Sequence, residues 1–140
     1  MAVATHLADK SALARLGNPV VARRLGPMIQ AGVVGTCGII ELEMRFSARS
    51  HDEYERISRD RSLGYEMVPM PDEVWTRALQ VQSALSERGQ LRAVTFPDLL
   101  IAATAERHAM VVIHYDADYD LIAEVTGQSC EWVARQGTLS

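Results

Sequence analysis

Four carboxylates could act together in this chain: Asp9, Glu43, Asp98 and Asp116. Asp9 and Asp116 each follow a predicted strand, and ligands of parallel sheets bind outside the carboxyl ends of the strands. Several carboxylates gathered in one pocket repel each other, and a divalent cation removes that penalty. Oxygen ligands of this kind suit Mg²⁺ or Mn²⁺, ions that lower the pKa of a bound water for hydrolysis.

Each of these acids also has an ordinary interpretation when it is taken alone. An aspartate after a strand, such as Asp9, is often a helix cap, and Asp98 in the first turn of a helix is favoured by the helix dipole. Glu43 lies on or beside an apolar helix face, where a salt bridge with Arg45 or Arg49 is an alternative. No single acid therefore supports a functional assignment.

The elements that must position these acids follow from the hydrophobic pattern, in which short apolar runs alternate with amphipathic segments. The predicted strands cover residues 3–8, 32–36, 65–70 (an edge strand), 110–114 and 130–133. The predicted helices cover residues 11–16, 19–31, 37–48, 51–62, 72–88, 99–107 and 121–125, with an acidic turn at 116–120. Strands that alternate with helices predict one α/β domain, residues 1–140, with a parallel sheet covered on both faces.

The third predicted helix carries two candidate acids. Ile39, Leu42, Glu43 and Phe46 are spaced by three and four residues, which predicts that they share one apolar face. Glu41 stands about 200° away from Glu43 around the helix, so both cannot face one pocket.

The residues around the acids carry more information than the acids themselves. Asp9 begins Asp-Lys-Ser-Ala-Leu, and Glu43 begins Glu-Met-Arg-Phe-Ser-Ala. Asp98 lies in Phe-Pro-Asp-Leu-Leu-Ile-Ala-Ala-Thr-Ala, and Asp116 in His-Tyr-Asp-Ala-Asp-Tyr-Asp. In this order and at these intervals, the segments resemble the four signature segments of PIN domains, specifically of the VapC toxins of bacterial toxin–antitoxin pairs. The resemblance covers residues 3–125, and the segment around Asp98 is its most specific part.

Two segments depart from the family pattern. The first usually reads Asp-Thr-Ser-Ala, so Lys10 replaces a threonine and either alters access to the site or pairs with a carboxylate. The second commonly ends in Tyr-Gly-Ala or Phe-Gly-Ala, where this chain has Phe46-Ser47-Ala48. Matching this segment to the family pattern favours Glu43 over Glu41 as the site residue.

The resemblance implies a PIN-like three-layer α/β/α sandwich with a central parallel sheet. It also implies that Asp9, Glu43, Asp98 and Asp116 are both catalytic and metal-binding, with Asp118 as an auxiliary ligand. The implied activity is that of a Mg²⁺-dependent endoribonuclease (Mn²⁺ being possible) that hydrolyses phosphodiester bonds of tRNA or rRNA. The implied partners are a second copy of the chain and a VapB-type antitoxin, which covers the site with a basic residue and makes this chain the toxin of a type II system.

Composition limits the alternatives. A net charge of −4 argues against a protein that grips nucleic acid through a large positive excess, although local arginines can still contact phosphate. No apolar run reaches the roughly 20 residues of a membrane-spanning helix, and the first residues do not form a signal peptide. We therefore expect a cytoplasmic protein without membrane contact, in which Cys37 and Cys130 are free.

Two other functions compete with the nuclease. A phosphoacceptor receiver domain is also acidic at its strand ends, but it needs a lysine after a late strand, and Lys10 is the only lysine. A catalytically silent PIN fold that serves as a binding module is the other alternative. Metal binding discriminates it from the nuclease.

Overall fold

The sheet determines where the candidate acids lie. The computed structural model describes residues 3–139, so Met1, Ala2 and Ser140, at the ends of the predicted domain, lie outside the described residues. The strands are β1 (His6–Ala8), β2 (Val34–Thr36), β3 (Glu66–Met67), β4 (Val111–His114) and β5 (Cys130–Trp132). Their order is β3-β2-β1-β4-β5 and every pairing is parallel. The predicted edge position of the strand before Pro71 is confirmed, because β3 is an outer strand.

Helices connect these strands and cover the sheet. They are α1 (Lys10–Leu13), α2 (Pro19–Gln30), α3 (Gly38–Arg45), α4 (His51–Gly64), α5 (Asp72–Glu87), α6 (Phe96–Arg107) and α7 (Asp118–Thr126). The predicted three-layer α/β/α fold is confirmed. Within residues 3–139, no helix is both long and apolar enough to cross a membrane.

The core lies around β1 and α6. Leu7 and Ala8 of β1 are fully buried, as expected for the central strand of a sheet that is covered on both faces. In α6, every residue from 98 to 105 is buried, and its alanines allow the helix to lie close to its neighbours. Cys37 is buried and Cys130 half-buried, and neither forms a disulfide, as predicted.

Two local predictions are wrong. The acidic turn predicted at 116–120 ends early, because α7 already begins at Asp118. The aspartates suit this position, since acidic side chains are stabilised in a first helical turn and the Asp116 side chain accepts a hydrogen bond from the Asp118 amide (2.9 Å). The first helix is also shorter than predicted, because α1 ends at Leu13 and a turn follows.

Most of the predicted apolar face of α3 is exposed to solvent, although Ile39 packs against the core. Leu42 is 68% exposed and Phe46 is 87% exposed, whereas Ile40 and Glu41 on another side of the helix are buried. The periodicity is real, but it marks an exposed surface. Glu41 can take the buried position because Arg61 pairs with it there.

Candidate metal centre

The candidate acids lie around a cleft at the carboxyl ends of β1 and β4. This is the topological switch point of the sheet, because the chain adds β2 on one side of β1 and later adds β4 on the other side. The cleft has a volume of about 340 Å³. It is lined by Asp9, Lys10, Ser11, Ala14, Arg15, Glu43, Thr95, Asp98 and Asp116.

Asp9 follows the last residue of β1 and caps α1. Its Oδ1 accepts hydrogen bonds from the Ser11 hydroxyl (2.6 Å) and from the Ala12 amide (3.3 Å). Only 3% of its surface is exposed, and this burial raises the pKa of Asp9 to about 6 although the hydrogen bonds oppose the rise. The residue is thus both the predicted helix cap and a wall of the acidic cleft.

Asp98, Asp116 and Asp118 form the tightest acidic group. Each offers a carboxylate oxygen, and these oxygens lie within 4.8 Å of one another. Asp98 comes from the first turn of α6 and Asp118 from the first turn of α7, so two helix N-termini and the turn after β4 converge here. The Thr95 amide donates to Asp118 Oδ2 (3.3 Å) and links the two helices.

Among the carboxyl groups of the site, that of Asp98 has the most strongly raised pKa. Burial is the main cause that raises its pKa to about 8, and a hydrogen bond with Asp118 and the charges of Asp116 and Asp9 add to the effect. A carboxylate in this environment requires a proton or a cation to compensate its charge.

Glu43 reaches the cleft from α3 and forms another wall. It is half-buried, and burial raises its pKa while the positive charge of Lys10 lowers it. The alternative salt bridge is wrong, because Arg45 pairs with Glu41 and Arg49 pairs with Glu53. Asp9 and Glu43 therefore line the cleft with Asp98 and Asp116 but lie outside the 4.8 Å cluster.

Glu41 is excluded from the cleft. It accepts hydrogen bonds from the Thr36 hydroxyl and the Arg61 guanidinium, and it is 6% exposed. Burial alone would raise its pKa, but the hydrogen bond and charge of Arg61 outweigh burial and lower it. As predicted, Glu41 and Glu43 face different surroundings.

Tyr119 is part of the site, although it was not predicted from the sequence. Its side chain is fully buried, and its hydroxyl donates to Asp98 Oδ1 at 3.1 Å. The same hydroxyl also lowers the pKa of Asp9, so Tyr119 acts on both buried acids. The turn predicted at 116–120 gave no indication that this side chain points inward.

His114, at the end of β4, contacts both the backbone of Asp116 and the ring of Tyr119. Its Nδ1 accepts a hydrogen bond from the Asp116 amide (3.1 Å), and its ring packs against Tyr119 at a centroid distance of 4.7 Å. Burial lowers the pKa of His114 to about 4, so it is neutral with its proton on Nε2. This neutral ring fixes the backbone that carries Asp116.

These residues fit a hard divalent cation. The cleft offers only carboxylate oxygens in its tight group, and Mg²⁺ and Mn²⁺ prefer oxygen ligands. Burial, with a smaller contribution from neighbouring carboxylates, raises the pKa values of Asp9 and Asp98 and so disfavours their charged forms. A divalent cation would compensate their charge without a proton.

Comparisons with known proteins agree with this description. A PIN-domain family model matches residues 9–125. Ribonuclease VapC21 of Mycobacterium tuberculosis (strain ATCC 25618 / H37Rv) is 44% identical over 133 residues, covering 95% of this chain and 96% of the relative. Ribonuclease VapC51 of the same strain is 42% identical over 134 residues, covering 96% of each. A chain of the DNA-bound VapBC structure from Salmonella typhimurium superposes with a TM-score of 0.75 at 14% identity, covering 94% of this chain and 99% of that chain.

The chain belongs to the PIN-domain family and, within that family, to the VapC group. The resemblance drawn from the four acidic segments is thereby confirmed. The structural neighbour supports the same fold.

Proposed function

We propose that this protein is the toxin of a type II toxin–antitoxin system and acts as a metal-dependent endoribonuclease. The observation that carries the proposal is the convergence of Asp9, Glu43, Asp98 and Asp116 on one cleft at the switch point of the sheet. The VapC relatives are named ribonucleases, which supports RNA as the substrate class.

The aspartate group would hold Mg²⁺, or Mn²⁺, with Asp9 and Glu43 completing the site directly or through water. A divalent cation bound there would activate a water molecule and offset the charge that develops on the phosphodiester. The protein's own contribution is to hold the acids in place: Ser11 fixes Asp9, Tyr119 fixes Asp98, and the Asp118 amide fixes Asp116.

Cleavage of total RNA by the purified protein, freed of any antitoxin, tests this function. We expect discrete cuts in Mg²⁺ that disappear in EDTA and with Asp98→Asn. Asp72→Asn is the matched control, because Asp72 is an exposed aspartate in the first turn of α5 and does not line the cleft. Folded protein that neither cleaves RNA nor binds Mg²⁺ or Mn²⁺ in calorimetry would instead favour the silent binding module.

We propose that the antitoxin docks beside the cleft on the exposed face of α3. Leu42 and Phe46 form a shallow groove there with Lys10 and Glu43, so apolar surface continues directly into the acidic cleft. Large exposed apolar side chains of this kind commonly mark an interaction site. An antitoxin segment with apolar side chains followed by a basic residue would match both parts.

A co-expression experiment tests this surface. With Phe46→Ser, the co-encoded antitoxin should no longer suppress RNA cleavage, whereas cleavage by the free variant stays unchanged. Leu63→Ser is the control, because Leu63 is 89% exposed on α4 and does not line the groove. Full suppression of the Phe46→Ser variant would reject this docking surface.

We also propose that the protein forms a homodimer through α5 and α6. Trp75, Leu79 and Phe96 are 55%, 66% and 74% exposed and line one apolar groove between these helices. A second copy that covers this groove would bury all three. Sedimentation velocity should show a dimer that Leu79→Glu converts to a monomer and Leu63→Glu does not.

A further inference from the structure

Arg15 differs from every other arginine of the chain. Six of the thirteen arginines form ion pairs with glutamates: Arg24, Arg45, Arg49, Arg61, Arg77 and Arg88. Six others are exposed: Arg23, Arg56, Arg59, Arg92, Arg107 and Arg135. Among residues 3–139, Arg15 is the one arginine that is shielded from solvent in part and yet forms no ion pair with a carboxylate.

The guanidinium of Arg15 is held in place without being neutralised. Its Nη1 donates to the Ser11 carbonyl at 2.7 Å, and its central carbon lies 4.8 Å from the centre of the Tyr115 ring. The Tyr115 ring is itself fixed, because it packs edge-on against Trp132 and its hydroxyl accepts the Leu139 amide. An aromatic face and a carbonyl orient a guanidinium but leave its positive charge available.

Arg15 nevertheless lies in the acidic cleft. It lines the same cavity as Asp9, Asp98 and Asp116, and its Nε is buried without a hydrogen-bond partner among the described residues. A buried donor without a partner costs free energy, and a ligand that accepts from it recovers that cost. The ligand that matches a forked guanidinium is an oxyanion, above all a phosphate.

We propose that Arg15 binds a backbone phosphate of the RNA and holds the strand beside the acids. This inference rests on the proposed function, because it assumes that the substrate is RNA. Ser11 connects the two parts of the cleft, since its carbonyl holds Arg15 while its hydroxyl donates to Asp9 and accepts the Tyr115 amide. The phosphate site is therefore rigidly connected to the metal site.

RNA binding without turnover tests this role. An RNA fragment that the protein cleaves in Mg²⁺ is labelled with fluorescein, and its Kd is measured in EDTA by anisotropy at several salt concentrations. Arg15→Gln should raise Kd by about tenfold or more, because a charge-assisted contact is lost. The slope of log Kd against log salt should fall by about 0.7–1, since one fewer phosphate is neutralised.

Arg107→Gln is the matched control. Like Arg15→Gln, it removes one positive charge from a protein of net charge −4. Arg107, however, is exposed at the opposite end of α6 from Asp98. Its Kd and salt slope should stay at the wild-type values. Equal weakening by both variants would mean that net charge acts instead of a defined contact, and unchanged binding by Arg15→Gln would also overturn the proposal.

A second measurement tests the contact in the wild-type protein, which carries no substitution. In ¹⁵N NMR spectra, the Nε–H signal of Arg15, assigned by its loss in Arg15→Lys, should shift when RNA is added in EDTA. The Arg107 signal should not shift. An Arg15 signal that stays in place while RNA binds overturns this inference alone, whereas wild-type protein that neither binds nor cleaves RNA overturns the proposed function as well.

Discussion

Asp98 shows why the acids of this site depend on their surroundings. It is 6% exposed and lies beside two other aspartates, an arrangement in which the charged form is strongly disfavoured. One hydrogen bond from the Tyr119 hydroxyl compensates part of this cost. A bound cation would compensate the remainder, so metal affinity and the position of Tyr119 should be connected.

Tyr119→Phe removes that hydroxyl and keeps the packed ring. We expect the affinity for Mn²⁺ to fall by about tenfold, as it does when residues that orient metal ligands are lost. The free energy of unfolding should fall by about 1 kcal/mol, the net value of one hydrogen bond. Calorimetric titration with Mn²⁺ and urea denaturation measure the two effects.

Tyr54→Phe provides the control for this substitution. Tyr54 is an exposed tyrosine of α4, so the same loss of a hydroxyl there should change neither quantity. Unchanged Mn²⁺ affinity in Tyr119→Phe would show that the hydroxyl does not orient Asp98 for metal binding.

The acids could be predicted from the sequence, but two other residues of the cleft and its support could not. Asp9 and Asp116 follow apolar runs of strand length, and such runs indicate where a sheet ends. Tyr119 and Arg15 have no comparable local signal. Their roles depend on the residues that α6 and β4 bring next to them, and that proximity arises only in the folded chain.

The position of α3 depends on a buried ion pair in addition to its buried apolar residue Ile40. Arg61 of α4 donates to Glu41 of α3, and Thr36 at the end of β2 donates to the same carboxylate. Arg61 is 7% exposed, and its guanidinium also lies 4.3 Å from the centre of the Tyr65 ring. This network fixes the helix that carries Glu43 into the cleft.

Arg61→Met should therefore destabilise the protein strongly. It leaves the Glu41 charge buried without its main partner, which typically costs about 3–5 kcal/mol. Arg88→Met makes the same substitution in an exposed ion pair with Glu124. It should lower the free energy of unfolding by about 1 kcal/mol or less. Urea denaturation of both variants measures the difference, and similar losses would contradict the structural role given to Arg61.

Helix boundaries and faces show which sequence signals were sufficient. The 72–88 pattern predicted α5 to within one residue, because Val74, Ala78, Val81 and Leu85 form a continuous buried stripe. In α3, by contrast, Leu42 and Phe46 of the apolar stripe face solvent while Glu41 is buried. Periodicity identifies a helix, but it does not distinguish a face that meets the core from a face that meets a partner.

The titrating groups of the cleft make the stability of the whole molecule depend on pH. Asp9 and Asp98 have folded pKa values of about 6 and 8, above the ordinary value of 3.8, so the folded chain binds these protons more tightly than the unfolded chain. Stability therefore falls as pH rises through this range. His114 acts oppositely, because its folded pKa of about 4 lies below 6.5, and stability rises with pH only between those values.

Above pH 6.5, the effect of Asp98 remains, whereas the opposing effect of His114 fades as the unfolded chain loses that proton. We expect the free energy of unfolding of the metal-free protein to fall by about 1–2 kcal/mol between pH 6.5 and 8. Saturating Mg²⁺ should reduce or reverse this loss, because the ion binds the deprotonated site. Thermal unfolding in EDTA and in Mg²⁺ measures both curves, and metal-free stability that rises across this range would contradict the assigned protonation of Asp98.

The most direct test of the acidic cleft as one catalytic site is single-turnover RNA cleavage in Mg²⁺ by Asp9→Asn, Asp98→Asn and the double variant. If the two acids serve one site, each single variant should lose at least about 1,000-fold in rate, and the double variant should lose little more. The exposed control Asp72→Asn should cleave at the wild-type rate. Cleavage by Asp98→Asn at the wild-type rate would contradict the account.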